Sequence, residues 1–485
     1  MYNSFMGEDI IFSENFETKS GRFGEVTDPY IAEINTEQGY YHLENLTKNG
    51  YLLFLNSDLE LPNIYQVEAT VESNSAEFTG ISLRLNNDKK TESISFCCHY
   101  KGKFRVWKVN NGIGNEIHPW DTEPSIITGL GEKNILLIKV WPSLMIFYIN
   151  GIEVSRQFEK NFETKHISFQ LPFEFAGKVH SLRVLKTSEE ETKLLEAEKL
   201  ETYKTVFAEL DQLIGMPKIK KQIKTLANLM RVENKRAEFG LINNQIGNHI
   251  ILLGPPGTGK TTVARILGKI FKSLGVLQKG HVVETTRSDL VGEYIGQTAP
   301  KVQAKIKEAM GGILFVDEAY TLKPLNIPSK DLGQEAIDTL MKNMEDNRSE
   351  FIVIIAGYED KMQAFLESNP GVRSRFNHEF IFEHYSAKEL LDIFVYQVEK
   401  SEYKIDEEIK SRVLDHLIRA CNFRSDSFGN GRYARNLFEQ MILNLADRLE
   451  SDPDLDETEV STFLPSDVPK ELLSGTEEFN PNQYL

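Results

Sequence analysis

The chain has 485 residues, with 72 Asp and Glu against 55 Lys and Arg and a formal net charge of −17. That length exceeds what a single hydrophobic core supports, and the acidic excess argues against nonspecific binding to nucleic acid or anionic lipid. Three cysteines, Cys97 and Cys98 adjacent and Cys421 far from both, supply neither a disulfide framework nor metal-ligand spacing. The segment from Met1 to Phe16 is acidic and lacks the basic and apolar regions of a leader. No later stretch approaches the roughly 20 apolar residues of a membrane span, so the expected compartment is the cytoplasm.

From Ile10 to about Leu185 the chain reads as short alternating runs punctuated by Gly, Asn and Asp. Ile81, Leu83 and Leu85 alternate with polar residues, as do Phe104 and Val106 ahead of Asn110-Asn111-Gly112. Asn150-Gly151, between Leu144–Ile149 and Ile152–Val154, predicts a hairpin because both turn residues tolerate positive φ. Val179 to Leu185 reads as a last strand returning to pair near the first. Many strands with almost no helical periodicity predict two packed antiparallel sheets over residues 1–187.

This layout, through Asn134–Val140, the Tyr148-Ile149-Asn150-Gly151 hairpin and the closing strand, resembles the concanavalin A-like, laminin G-like jelly-roll family. The resemblance implies a module that binds a glycan or a protein. Some members hydrolyse glycosides with paired carboxylates on one strand face, but no E-x-D-x-x-E arrangement occurs here. Trp107, Trp120, Trp141 and Tyr148 are candidates for stacking on a sugar, although aromatics in a sandwich more often serve core or rim packing.

Residues 188–208 predict a charged connecting helix, opened by Glu189-Glu190-Glu191 and spaced by Leu194, Leu195, Leu200, Tyr203 and Phe207. Helical and short apolar segments then alternate, the pattern of a parallel α/β sheet over 209–384. Ile214-Gly215 heads that region and is a candidate contact for a purine. Gly254-Pro255-Pro256-Gly257-Thr258-Gly259-Lys260-Thr261, with Thr262 as a further candidate contact, follows the apolar run Ile250–Leu253 and precedes a segment with helical spacing at Val263, Ile266, Leu267 and Ile270. Strand, glycine loop and helix together form a cradle whose N–H groups point at a polyphosphate, with Lys260 neutralising it and Thr261 holding Mg²⁺. Ile313–Val316 ends in Asp317-Glu318, which puts two carboxylates at the crevice of an open sheet. Asp317 would order the metal shell and Glu318 would polarise the attacking water, so ATP hydrolysis is expected over nucleotide binding alone. Phe351–Tyr358 predicts a further buried strand, and Leu414 to Leu449 the helices of an end domain over 385–452.

The order of these motifs, with Ala356-Gly357-Tyr358, Asn369–Phe376 and Gly429–Arg432, resembles the AAA+ ATPases, and within them the CbbX/CfxQ branch that includes red-type rubisco activases and SpoVK-like proteins. The resemblance covers the chain from about Glu209 onward. It implies a hexameric ring with nucleotide at each subunit boundary and a protein client. Arg375 matches the finger donated to a neighbour's γ-phosphate, with Arg373 as second candidate, and Arg432 matches the sensor arginine of the lid. Tyr294-Ile295-Gly296 matches the loop that lines the central pore. Tyr358 stands where a polar first sensor is usual, a feature the branch shares. Residues 453–485, acidic and poorly periodic, are expected to form a largely flexible tail. The expected function is an ATP-driven remodeller whose sandwich selects the partner. The alternatives are an ATP-switched scaffold and a rubisco activase-like chaperone.

Overall fold

A computed structural model describes residues 10–19, 23, 25, 30–46, 52–54, 61–75, 80–87, 91–142, 144–157, 162, 164–172, 174–238, 241, 247–294, 296–323, 332–347, 350–425, 427–450, 454–471 and 473. The chain divides into two units, Met1–Glu198 and Lys199–Leu485. Among the described residues no helix is long and apolar enough to cross a membrane.

The first unit is built from β1 (Ile10–Glu14), β2 (Tyr30–Asn35), β3 (Tyr40–Asn45), β4 (Leu52–Phe54), β5 (Tyr65–Ser73), β6 (Ile81–Asn86), β7 (Glu92–His99), β8 (Lys103–Asn110), β9 (Ile113–Thr122), β10 (Lys133–Trp141), β11 (Leu144–Ile149), β12 (Ile152–Gln157), β13 (His166–Leu171) and β14 (Phe175–Lys186). Eight of them form one antiparallel sheet in the order β12-β11-β10-β5-β14-β3-β2, with β1 joined to β14. Six form the other, β4-β13-β6-β7-β8-β9. Strand alternation sends Leu83, Leu85, Ile94 and Phe96 of the second sheet inward, where they share one core with Val67, Ile138 and Phe147 of the first. The closing strand β14 does pair with β1, Leu182 opposite Glu14. The expected hairpin occurs at Asn150-Gly151, with φ of 49° and 86°, and a second one, not anticipated, at Asn111-Gly112, with φ of 49° and 83°. Cys97 and Cys98 are buried packing residues, Cys98 in the inter-sheet core and Cys97 against the Gly80 carbonyl.

Helix α1 (Glu189–Gln212) starts with the three glutamates expected at the positive end of its dipole. Its Leu195 closes a small cluster with Trp141, Leu144 and Ile146, while Glu191 accepts from Lys139 Nζ at 2.6 Å and Gln66 Nε2 at 2.7 Å. Trp141 is therefore packing, not a sugar platform.

In the second unit, α2 (Pro217–Glu238) precedes β15 (His249–Leu253), α3 (Lys260–Ser273), β16 (Val282–Thr285), α4 (Arg287–Leu290), α5 (Thr298–Ala309), β17 (Ile313–Val316) and a 3-10 turn, Ala319–Leu322. Then come α6 (Leu332–Asp346), β18 (Ile352–Gly357), α7 (Glu359–Glu367), α8 (Pro370–Arg373) and β19 (Phe376–Ile381). The sheet is wholly parallel, in the order β16-β17-β18-β15-β19. Ile250 and Leu252 point to one face and pack with Val263, Ile266 and Ile270. Ile251 and Leu253 point to the other, with Val302, Ile306 and Leu340. Burial on both faces is why these strands read as unbroken apolar runs.

Helices α9 (Ala387–Lys400), α10 (Glu407–Asn422) and α11 (Gly431–Leu449) enclose a separate core around Leu390, Phe394, Leu417, Leu437 and Met441. This helical layer does not end at 452 as expected. After α12 (Glu457–Ser461), Phe463 and Val468 enter the same core, and Arg448 Nε donates to the buried Asp467 at 3.0 Å. The apolar residues of this acidic stretch carry no helical or strand period, so the sequence reads it as tail. Residues 474–485 lie outside the described residues.

Candidate active site

The turn after β15 depends on backbone angles that side chains resist. Gly254, Gly257 and Gly259 have φ of 141°, 68° and 89°. A Cβ on Gly257 would sit 1.9 Å from the Gly429 carbonyl oxygen, so the loop and the lid come together only over a glycine. Helix α3 begins at Lys260, which leaves the first-turn N–H groups of Thr261 and Thr262 directed into the loop's concavity. Thr258 Oγ1 donates to the Pro255 carbonyl at 2.8 Å, and Lys260 Nζ donates to the carbonyls of Gly254 and Pro255 at 2.8 and 2.7 Å.

The acids stand at the tip of β17. The Asp317 N–H donates to the Thr285 carbonyl at 2.9 Å, and the Glu318 N–H donates to Asp317 Oδ1 at 3.0 Å. Glu318 is exposed and left-handed, with φ 48° and ψ 44°, a conformation that costs about 1–2 kcal/mol for a residue with a side chain. Burial raises the Asp317 carboxyl, with the Glu318 charge adding and Lys260 opposing. Burial lowers Lys260 to about 8, opposed by Asp317 and Glu318 and reinforced by Arg432 of α11. Four charged groups from three separate segments thus act on one another in a single crevice. Lys260 binds anions only when charged, and a bound phosphate would raise its pKa. Triphosphate affinity is therefore expected to hold below pH 8 and to fall above it, by up to about tenfold per pH unit, with proton uptake on binding in that range. Calorimetry in buffers of different ionisation enthalpy checks this.

The lid is bonded directly to the loop. Asn430, fully buried at φ 49°, donates from Nδ2 to the Pro256 carbonyl at 3.1 Å and accepts the Tyr385 N–H at 3.1 Å. The Gly431 N–H donates to the Gly257 carbonyl at 3.0 Å, and Tyr385 Oη donates to the Thr258 carbonyl at 3.3 Å. From sequence, Gly429–Arg432 reads as the start of a helix that carries the sensor arginine Arg432, with no role for Asn430. The available signal was an asparagine between two glycines, a residue that tolerates positive φ and can bond backbone on both sides. Gly215, at φ 67°, lies against Glu389 and Tyr385, and the next residue, Met216, approaches Gly259. The Ile214-Gly215 turn therefore borders both loop and lid.

Tyr320 and Tyr358 flank Glu318. Burial raises both phenols and the Glu318 charge raises them further. Lys361 of α7 lies over both rings, at 5.0 and 4.9 Å from their centroids. Tyr320 stands two residues after Glu318 at the end of the Ile313–Tyr320 motif, whereas Lys361 belongs to no recognisable motif and only the fold puts it beside the acid.

Arg375 is not part of this crevice in its own chain. It immediately precedes β19, whereas the Phe382 N–H, just beyond the strand's other end, bonds the Leu253 carbonyl at the loop. The six-residue strand between them spans about 20 Å. Arg375 Nη1 donates to the Gly371 carbonyl at 3.0 Å, and its Nε is 3.8 Å from Glu345. Arg373 is held by Glu379 at 2.6 Å. Tyr294 is 69% exposed, so it is not core packing, and Gly296 (φ 88°) has open space around it. Ile295 lies outside the described residues.

Residues 250–384 match the ATPase family associated with various cellular activities (AAA), and 386–478 match the AAA lid domain. The chain is 42% identical over 275 residues to stage V sporulation protein K of Bacillus subtilis (strain 168), covering 56% of this chain and 85% of that protein. It is 42% identical over 269 residues to protein CbbX of Cereibacter sphaeroides, covering 55% and 86%. It is 39% identical over 271 residues to the chloroplastic ribulose bisphosphate carboxylase/oxygenase activase of Cyanidioschyzon merolae (strain NIES-3377 / 10D), covering 56% and 91%.

Proposed function

Because the chain belongs to the AAA+ ATPases, in the family of CbbX, CfxQ and stage V sporulation protein K, we propose that it spends ATP hydrolysis on remodelling a protein client. In this reading the chains form a ring and the β-sandwich selects the client. The observation that carries the reading is the distance of Arg375 from its own phosphate loop. A triphosphate held at Lys260 lacks that cation until a second chain supplies it, so turnover requires assembly.

The residues divide the work. The loop from Gly254 to Thr262 and Lys260 hold the phosphates, Ile214 and Gly215 border the base, and Arg432 brings the lid to the same nucleotide. The Thr261 hydroxyl and the Asp317 carboxylate are a donor set that suits Mg²⁺, which keeps one or two protein oxygens and fills its shell from phosphate and water. Held there, the ion would supply positive charge to the phosphate oxygens. Glu318 orients water and accepts its proton, held in place by the left-handed turn between Asp317 and Ala319, while Arg375 of a neighbour meets the developing charge. Tyr294, exposed on the short loop between α4 and α5, grips the client by shape.

Tyr294→Ala is accordingly expected to keep ATP turnover and to lose remodelling of the client. The client is first captured from a lysate on ATP-loaded Glu318→Gln protein, and its protease sensitivity is then compared in the presence of each active variant. A Tyr294→Ala protein that remodels as the parent does removes threading and favours an ATP-switched scaffold.

A further inference from the structure

The left-handed Glu318 has to be held, and much of what holds it comes from one other segment of the chain. A strained backbone angle persists only where its surroundings over-determine it. Ahead of Glu318, the Asp317 N–H is bonded to the Thr285 carbonyl at 2.9 Å, and Thr285 Oγ1 donates to the Phe315 carbonyl at 3.0 Å. Behind it, the Glu318 carbonyl accepts the Thr321 N–H at 2.8 Å and Thr321 Oγ1 at 2.7 Å. These bonds make Ala319–Leu322 a single tight turn, whose last carbonyls, those of Thr321 and Leu322, find no donor within it.

Arg287 supplies that donor. This half-buried residue opens α4 just after Thr285, and its Nη1 donates to the Thr321 carbonyl at 2.6 Å and also to the Leu322 carbonyl. One Nη group carries two protons, enough for a bond to each oxygen, and a cation suits the negative end of a helical turn. The approach is tight. A Cβ on Gly333 of α6 would lie 1.8 Å from the Leu322 carbonyl oxygen and 3.3 Å from Arg287 Nη1. Arg287 is anchored in turn, because the Thr286 N–H donates to Asp289 Oδ2 at 2.8 Å and Leu290 is buried in the same core as Ala319 and Leu322. The stretch Thr285–Arg287 thus grips both the strand tip before Glu318 and the turn after it, while the phosphate loop and the lid are built from other segments.

We propose that Arg287 is a positioning residue for hydrolysis: by clamping the turn after Glu318 it fixes the carboxylate where it orients water, and it acts through that acid, not on the nucleotide. The inference rests on the reading of Glu318 as the water-orienting group. Reacting groups must be placed closely, and a displacement of about 1 Å costs on the order of 10²-fold in rate. Without Arg287, two carbonyls lose their donor and the turn is free to relax. That moves the acid and leaves Lys260, Thr261 and Arg432 where they are, so the loss falls on turnover and not on nucleotide affinity.

The test measures turnover by the full chain over a range of ATP concentrations. Arg287→Met, which removes the donors, is expected to lower kcat by about 10- to 100-fold with KM within about twofold of the parent. Arg287→Lys, whose ammonium also has donors for both carbonyls, should fall between the two. In a Glu318→Gln background Arg287→Met is expected to cost nothing further, because a residue that acts through the acid then has nothing to position. Thr321→Val, which removes the hydroxyl bond to the Glu318 carbonyl, should show the same dependence on Glu318 at smaller amplitude, and it decides the matter if circular dichroism and a melting curve show Arg287→Met unfolded. Parental kcat in Arg287→Met, a loss explained by KM alone, or an equal loss in the Glu318→Gln background overturns the assignment. Glu318→Gln protein that turns over at the parental rate removes the water-orienting role and this inference with it, whereas an inactive Glu318→Gln beside a fully active Arg287→Met removes the inference alone.

Discussion

A Glu318→Gln protein is expected to bind ATP and not to hydrolyse it. The exchange keeps the shape of the side chain and its left-handed backbone, and removes only the carboxylate that orients water and takes its proton. Losing such a group lowers turnover by about 10²–10⁴-fold. Binding should persist, because the loop, Lys260 and Arg432 are untouched and one negative charge has left the neighbourhood of the triphosphate. Phosphate release measured beside fluorescent-nucleotide titration separates the two quantities. A variant that turns over at the parental rate refutes the water-orienting role. One that fails to bind shows that Glu318 shapes the cradle.

The companion exchange, Arg375→Ala, is expected to reduce turnover by about 10³–10⁵-fold, the range for a cation supplied to a transferring phosphoryl group, and again to leave binding intact. Its particular strength is complementation. Arg375→Ala and Glu318→Gln protomers are each inactive alone. Mixed, they create some boundaries in which an intact Glu318 faces an intact Arg375 on the adjacent chain. Activity should therefore reappear on mixing and rise with total protein concentration. If the mixture stays inactive while both variants assemble, the cation does not act across a subunit boundary. If Arg375→Ala alone keeps its activity, the residue is only the partner of Glu345 that it is within one chain.

What could be read from sequence was whatever is encoded locally. The phosphate loop was legible because its glycines mark positions of positive φ that little else tolerates, and the central strands because burial on both faces writes unbroken apolar runs. The hairpin at Asn150-Gly151 announced itself for the same conformational reason. Features made by distant segments were not legible. Asn430 looked like the residue before a helix until Pro256 and Tyr385 arrived from elsewhere in the chain. Trp141 looked like a possible sugar platform until Leu195 covered it. Asn86 and Ser93 occupy positions that strand alternation assigns to solvent, and only the fold reveals them as buried. Phe463 and Val468 stand in a stretch without the apolar period that would mark them as core.

The contact between Asn430, Gly431 and the turn ahead of α3 has a mechanical outcome. Because Pro256 and Gly257 bond to the first residues of α11, the tip of that turn cannot shift by an ångström without dragging the root of a 19-residue helix. At roughly 1.5 Å per residue that helix is about 28 Å long, so a small displacement at its root is magnified into a wide swing at its far end. The helix is thereby a lever whose fulcrum is a single asparagine, geared to the smallest movement the cradle can make.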